Sequence, residues 1–534
     1  MHTAKQLFVW LTAKSHWVLH NSNRPLVIAA LALGLAASAF SRTLLLVDDH
    51  DVLYRAGTHR EFHPFQRFAG NPVIRGGETP WENSVAWMSI YRHPVSGKYQ
   101  IWYQAYSGAA SKDRTRRSVV CYAESSDGIH FTKPDLGLFD WNGLRHNAIV
   151  LVANPGAHDR YSVSVVVDER APDPARRYKM AYYDFSKDDE GVERPGLSVA
   201  FSPDGIHWTK YPHAPLIRTH YGGGEPPPYA GDTSNPWLIP LTQSDGMDAM
   251  FDPKRNVFAL YGKMWIDGPA GNMSWKHAMG RSESKDFVHW GRPALVMTPD
   301  DDDPSYVEFH TTPVFFYDDR YFSLLQILNR AERGGVIDIE MAISKNGIDW
   351  ERPFKKQFAL PRGRLGTFDG GSIFTCATPI VLPDEIRFYY GAYSNGATNE
   401  VAGQKTTSGL GFASIPKDRF AGIRPDAISD QPTLRHPLKN IGQVTMKPLV
   451  FGKGSELTLN ADASRGTIRV ELLDDHGYRL RGFTAEDAVP IHGDSFHHAV
   501  AWKGGSLDRL PPGEYLVRIH LDDAEVFALN LEKH

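Results

Sequence analysis

One short motif, Ser-x-Asp-Gly-Ile-x-Trp, returns along this chain every few tens of residues and dictates a repetitive fold built from strands. It reads SSDGIHF from Ser125 to Phe131, SPDGIHW from Ser202 to Trp208, SESKDFVHW from Ser282 to Trp290 and SKNGIDW from Ser344 to Trp350. A degenerate copy, SIPKDRF, runs from Ser414 to Phe420. An aromatic strand precedes each one: KYQIWYQAY, RYKMAYYDF, VFALYGKMW, RYFSLLQIL and IRFYYGAYS. A supersecondary unit recurring at this spacing buries its apolar face only against its neighbours. All-strand units with an aromatic and a turn at the same place in every copy are propeller blades. The reading is an all-β chain whose main body is a five-bladed β-propeller.

The motif has a mechanical role. Asp-Gly and Asn-Gly supply the positive φ of a tight turn, and the Trp or Phe that follows packs between blades. Asp127, Asp204 and Asn346 are therefore read as architecture and not as catalytic groups, although they recur.

At 534 residues the chain exceeds one ordinary core. The propeller is placed at residues 40–430, with a Pro-containing polar link near Pro425 to Lys439. Beyond it, residues 436–534 alternate with period two (VTMKPLVF, ELTLNAD, TIRVELLD, HHAVAW, YLVRIHL, EVFALNLE) and turn at places such as Asp475-His476-Gly477. That pattern predicts a C-terminal antiparallel β-sandwich. Packing against the propeller is its expected job, with carbohydrate binding the second reading.

Residues 1–39 read as a secretory signal peptide. Lys5, Lys14 and Arg24 precede the apolar run PLVIAALALGLAASAF, which ends in the small-residue triplet Ala37-Ser38-Ala39. The run is short for a membrane span, and an uncleaved N-terminal anchor is the alternative. Either way a secreted or periplasmic location is expected. The net charge of −4 comes without basic clusters, which leaves no footprint for nucleic acid. Two cysteines, Cys121 and Cys376, cannot form a disulfide framework and read as buried thiols, with a single bond as the alternative. The acidic stretch TPDDDDPSY (Thr298 to Tyr306) reads as a solvated loop, because adjacent aspartates cannot all converge on one ion. No metal site, cofactor or oligomeric state is indicated.

Residues at the starts of inner propeller strands converge on the axis. The candidates there are Trp81-Glu82 in blade one and His158-Asp159 in blade two. Blade three offers Asp245 and Asp248, blade four Glu308 and His310, and blade five Asp369. Glu82 and Glu308 share a register. Like charges gathered at one funnel repel unless they have partners or a task, and paired carboxylates across a cleft suit glycoside cleavage. Lys263 and Arg330, at the ends of second strands, are placed to bind hydroxyls or an acidic group.

Five blades, the fourth-blade start Glu308-Phe309-His310-Thr311-Thr312-Pro313 and the Asp-rich third-blade start resemble the five-bladed glycosidases of glycoside hydrolase families 32, 43, 68 and 117. The resemblance covers about Leu44 to Pro425, and the trailing sandwich is similar to the family 32 arrangement. It implies a glycoside hydrolase acting on a furanoside or related glycan. By position, Asp48 or Asp49 in VDDHD, or else Glu82, is the base or nucleophile. Asp245 or Asp248 is the middle aspartate, which supports protonation of the acid, Glu308. Trp81, Asp48, Asp159, Lys263, His310, Arg330 and Asp369 are expected to bind the carbohydrate. There is no WMNDPNG-like motif and no Glu-Cys pair, so the residues do not choose among the families. A non-catalytic carbohydrate-binding propeller and a glycoside phosphorylase resembling family 130 are the alternatives.

Overall fold

The computed structural model describes residues 40–154, 161–187, 193–217, 245–266, 276–397, 406–427 and 441–533. The apolar N-terminal run, His158-Asp159, the Gly- and Pro-rich stretch from His220 to Trp237 and most of the polar link lie outside the described residues.

Five antiparallel blades follow one another along the chain. The first comprises Ser84–Arg92, Tyr99–Tyr106, Ser118–Ser125 and Ile149–Val152. The second is Tyr161–Val167, Tyr178–Lys187, Glu193–Ser202 and Thr209–Lys210. The third is Met247–Asp252, Val257–Ile266, Lys276–Ser284 and Ala294–Met297. In the fourth, the inner strand comes in two pieces, Val307–Phe309 and Val314–Tyr317, followed by Arg320–Asn329, Val336–Ser344 and Trp350–Glu351. The fifth contains Ser372–Thr375, Ile380–Val381, Glu385–Tyr393 and Ser408–Pro416, and its outer edge is completed by Gln66–Arg67 and Ile74–Arg75 from near the N-terminus. The inner strands neighbour one another in blade order and the fifth meets the first, so the ring closes. An early segment finishing the last blade leaves no open edge between them.

The recurring turn explains how the blades are stitched. In four blades a Ser Oγ accepts from the backbone N–H three residues on, at 2.9 Å each time, from Gly128, Gly205, Phe287 and Gly347. The Asp or Asn two residues after that Ser accepts two further backbone N–H groups. The third copy therefore aligns on Ser284 rather than Ser282, and buried Phe287 takes the glycine position at φ +69°. Phe201, Phe258 and Trp290 surround its ring, packing that holds a non-glycine residue in a costly conformation. Elsewhere the glycine carbonyl accepts from an aromatic donor of the preceding blade. Trp102 donates to Gly205 at 2.6 Å, Tyr261 to Gly347 at 2.8 Å, and Tyr389 of blade five to Gly128 of blade one at 2.6 Å.

Glycine at these turns is needed twice over. Gly205 sits at φ +80°, and a Cβ there would lie 2.6 Å from a Trp102 ring carbon. Gly205→Ala is expected to cost about 2 kcal/mol or more from the backbone and the overpacked blade contact together. Urea unfolding measures it, with exposed Gly477→Ala, which has open space at its Cβ, as the comparison for φ alone.

The C-terminal region is a ten-stranded antiparallel sheet that curls almost to closure. Its 19-residue strand Ser455–Leu473 pairs first with Glu525–Lys533 and then with Gly513–Asp522. Val444, Leu459, Val470, Val517, Ile519 and Leu529 are among the side chains that fill the space enclosed. The entry segment belongs to this sheet. Phe40–Leu45 pairs with Glu525–Lys533, Val52–Ala56 with Ile441–Met446, and Thr58–Phe62 with Ala421–Pro425. A reading that begins the propeller at residue 40 misses this, because a short alternating strand carries no mark of the sheet it will join.

Candidate active site

The starts of the inner strands, the ends of the second strands and the starts of the third strands lie at one face of the ring, its mouth. In blades three and four this brings together Asp245, Lys263, His277, Glu308, His310 and Arg330. Val307 and Phe309 anchor their short strand in an apolar cluster with Met279, Leu325 and Ile327, which fixes Glu308 between the two blades. Glu308 is buried and accepts from four donors. The His277 ring lies 2.6 Å away and its backbone N–H 3.2 Å, while Arg330 contributes Nε at 3.0 Å and Nη2 at 3.3 Å. Beside it, the Lys263 ammonium pairs with Asp245. His310 faces Gln326 Oε1 across 3.0 Å and stacks on Trp87 at 5.5 Å between ring centres.

Electrostatics set the protonation of this cluster. Burial alone would raise the Glu308 pKa, but the His277 and Arg330 hydrogen bonds outweigh it and hold the carboxyl at about 2. For Asp245, burial is likewise overcome by the Lys263 charge, again leaving about 2. Burial and then the Lys263 charge bring His277 down to about 4, and the same two causes push His310 well below its usual range. Near neutrality the mouth thus holds two carboxylates, two cations and two neutral imidazoles. Neighbouring carboxylates were expected to keep Glu308 protonated; instead the Arg330 cation and the His277 ring hold it, and it rests ionised.

Four residues of the cluster, Asp245, Glu308, Lys263 and Arg330, were legible in the sequence, as was His310. His277 and Trp87 were not. His277 opens a third strand, where no repeat signal points to the axis. Trp87 sits at φ +24° in a bulge of the first inner strand, and strand patterning hides such an outlier.

The other expected site residues have structural occupations. Asp48 accepts from Arg320 Nε at 3.0 Å, and Asp51 from Arg320 Nη2 at 2.6 Å. Arg320 opens the strand that ends beside Glu308's partner Leu328. Eight residues of strand put Asp48 roughly 26 Å from the mouth, at the opposite end of the blade. Asp49 pairs with Arg55 and Arg60. Both aspartates clasp the entry segment and are removed from the catalytic set. Glu82 is buried where blade one meets blade five, bonded to Tyr103 at 2.6 Å, Lys133 at 2.7 Å and Thr79 at 2.9 Å. Trp81 packs into the same apolar seam, edge-on to Trp141. Asp369 ties Arg67 of the closing strand at 2.8 Å and Tyr390 at 3.0 Å, which makes it part of the blade-five closure. Asp159 lies outside the described residues. The two cysteines are buried thiols with no disulfide between them, and in the acidic loop Lys355 pairs with Asp300 and Arg352 with Asp303 at 2.6 Å.

Asp248 is a separate case. It is buried and bonds the Ser164 side chain of blade two and the backbone of Ala377 after blade five's first inner strand, so it spans the channel. Among the described residues no hydrogen bond or ion pair joins it to Glu308. Burial pushes its pKa well above the ordinary 3.8. A raised carboxyl pKa means the neutral form is the one folding accommodates. Stability is full below pH 3.8 and falls as pH climbs toward the folded value. Asp248→Asn is expected to flatten that decline, gaining at most about 1.4 kcal/mol per pH unit over the window. Unfolding curves recorded across pH 4 to 8, roughly the range in which carboxyls with raised pKa titrate, check it.

No family model matches the chain, and no curated protein matches it in sequence. Solved structures that are similar include a glycosyl hydrolase from Bacteroides ovatus, with 17% identity, a TM-score of 0.41, and coverage of 66% of this chain and 93% of that one. A thermostable family 43 glycoside hydrolase is similar at 14% identity and a TM-score of 0.42, covering 69% and 99%. A family 130 glycoside hydrolase that targets β-1,2 mannosidic linkages in Candida mannan is similar at 18% identity and a TM-score of 0.42, covering 69% and 97%. The chemistry of the mouth rests on its own residues.

Proposed function

We propose that this chain is a glycan-active enzyme that cleaves glycosidic bonds at the charged mouth of its propeller. One observation carries the reading: two carboxylates, Asp245 and Glu308, sit on adjacent blades at the funnel, each gripped by a cation from a second strand. A binding surface can use carboxylates to accept from sugar hydroxyls, but two of them on adjacent blades of one cleft are the pair that glycoside cleavage uses. Glu308 is assigned the proton donor in the substrate complex and Asp245, ionised at rest, the base that takes a proton from water. Asp245 takes the role that Asp48, Asp49 and Glu82 leave vacant. Lys263, His310 and Arg330 are assigned sugar contacts, and Trp87 offers a ring beside them. Secretion of the folded enzyme after removal of residues 1–39 belongs to the same proposal, and the N-terminal sequence of the mature protein tests it.

The experiment is a panel of aryl glycosides and plant and microbial oligosaccharides, incubated with and without phosphate. Release of sugar from at least one class is expected. Binding of a glycan without any release, across the panel and in both conditions, would reduce the protein to a lectin-like propeller.

A further inference from the structure

A carboxyl held ionised by two partners cannot hand a proton to a leaving group until one of them lets go. Glu308 is faced by His277 from the third strand of blade three and by Arg330 just past the second strand of blade four. Lys263, Asp245 and His310 form the next ring of charge and polarity. Of Glu308's described partners, Arg330 is the one within reach of solvent: its side chain is 41% exposed, against 5% for His277 and 10% for Glu308. It holds Glu308 through Nε and Nη2, and its Nη1 makes no hydrogen bond among the described residues. That leaves Nη1 available, among the described residues, to meet an incoming oxyanion.

Resting on the glycoside-cleaving reading above, we propose that Arg330 is a movable positioning residue: an oxyanion on or beside the bound sugar draws its guanidinium off Glu308, and Glu308 then takes up the proton it delivers. A guanidinium matches a carboxylate and a phosphate with the same planar fork. Exchanging Glu308 for another oxyanion leaves Arg330 paired, so the swap costs little. Glu308 loses its cation, and its remaining partner is an imidazole that is neutral at rest. Lys263 does not replace the lost charge, because Asp245 holds it. Burial then favours the neutral acid. One proton passes from solvent to the carboxylate on binding, and from the carboxyl to the glycosidic oxygen as the bond breaks. A neutral sugar offers no such exchange. The substrate class is accordingly a glycan whose sugar bears a carboxylate, or a neutral glycan cleaved with inorganic phosphate beside it.

The test is calorimetric titration of the full chain with D-glucuronate, inorganic phosphate and D-glucose, in buffers of different ionisation enthalpy, near the ordinary glutamate pKa of 4.5. Net proton uptake is expected with at least one anion and none with glucose, and the anion that drives it identifies the source. Glu308→Gln should keep anion binding and lose the uptake. Arg330→Gln should lose the binding, and Arg330→Lys should restore part of it. Because Arg330 is partly exposed, these variants should fold, and melting curves verify that. Anion binding without proton uptake, uptake that persists in Glu308→Gln, binding unchanged in Arg330→Gln, or no heat from either anion overturns the proposal. The readout needs no turnover. Uptake in a protein that cleaves nothing would sink the enzymatic reading and keep the Arg330 exchange; cleavage without uptake would do the reverse.

Discussion

Glu308→Gln is expected to lower kcat on natural glycans by about 10²- to 10⁴-fold, the usual share of a general acid. The loss should be far smaller on aryl glycosides with activated leaving groups, which depart with little help from a proton. Gln keeps the size of the side chain and part of its hydrogen bonding to His277 and Arg330, so stability should change little beside the kinetic effect. If both substrate types fell equally, Glu308 would be acting as base or nucleophile. Asp245→Asn separates the roles, since the loss of a base is felt whatever the leaving group.

The largest effect on stability is expected far from the mouth. Arg320 is 2% exposed and bridges Asp48 and Asp51, holding the entry segment against blade four. Arg320→Met would leave two carboxylates facing each other with, among the described residues, only Arg42 paired to Asp51 as a counter-charge. Removing one member of a buried ionic group in this way costs about 3–5 kcal/mol. Chemical denaturation measures the loss. The triple variant Arg320→Met, Asp48→Asn, Asp51→Asn should recover much of it, because the penalty is uncompensated charge rather than lost shape. The folded triple variant should still cleave glycan, which a catalytic Asp48 would not allow.

The propeller was legible because four of the five blades devote the same seven residues to one turn, and Gly128, Gly205 and Gly347 must be glycine for both backbone and neighbour. The third copy slipped by two residues because Phe287 replaces that glycine, and only its aromatic surroundings explain how it is accommodated. Blade starts were placed well enough to find Asp245 and Glu308, and second-strand ends well enough to find Lys263 and Arg330. Register alone could not tell Glu308 from Glu82: both precede a hidden strand, but Glu82 points into the seam with Tyr103 and Lys133. Nor could local sequence show that the strands on either side of VDDHD join the C-terminal sheet, since their partner strands lie hundreds of residues away. His277 was beyond reach for the same reason. Its role exists only once blades three and four are side by side.

The location of the bound glycan tests the account most directly. A crystal structure of Glu308→Gln with a glycan cleaved by the wild-type enzyme should place the scissile oxygen within hydrogen-bonding distance of Gln at position 308, with Asp245 on the other side of the anomeric carbon. A separation of the two carboxyl groups of ~6.5–9.5 Å would then indicate inversion, and about 5–5.5 Å retention. A glycan seated away from blades three and four, on the far end of the ring or on the C-terminal sheet, with the mouth cluster untouched, would contradict it.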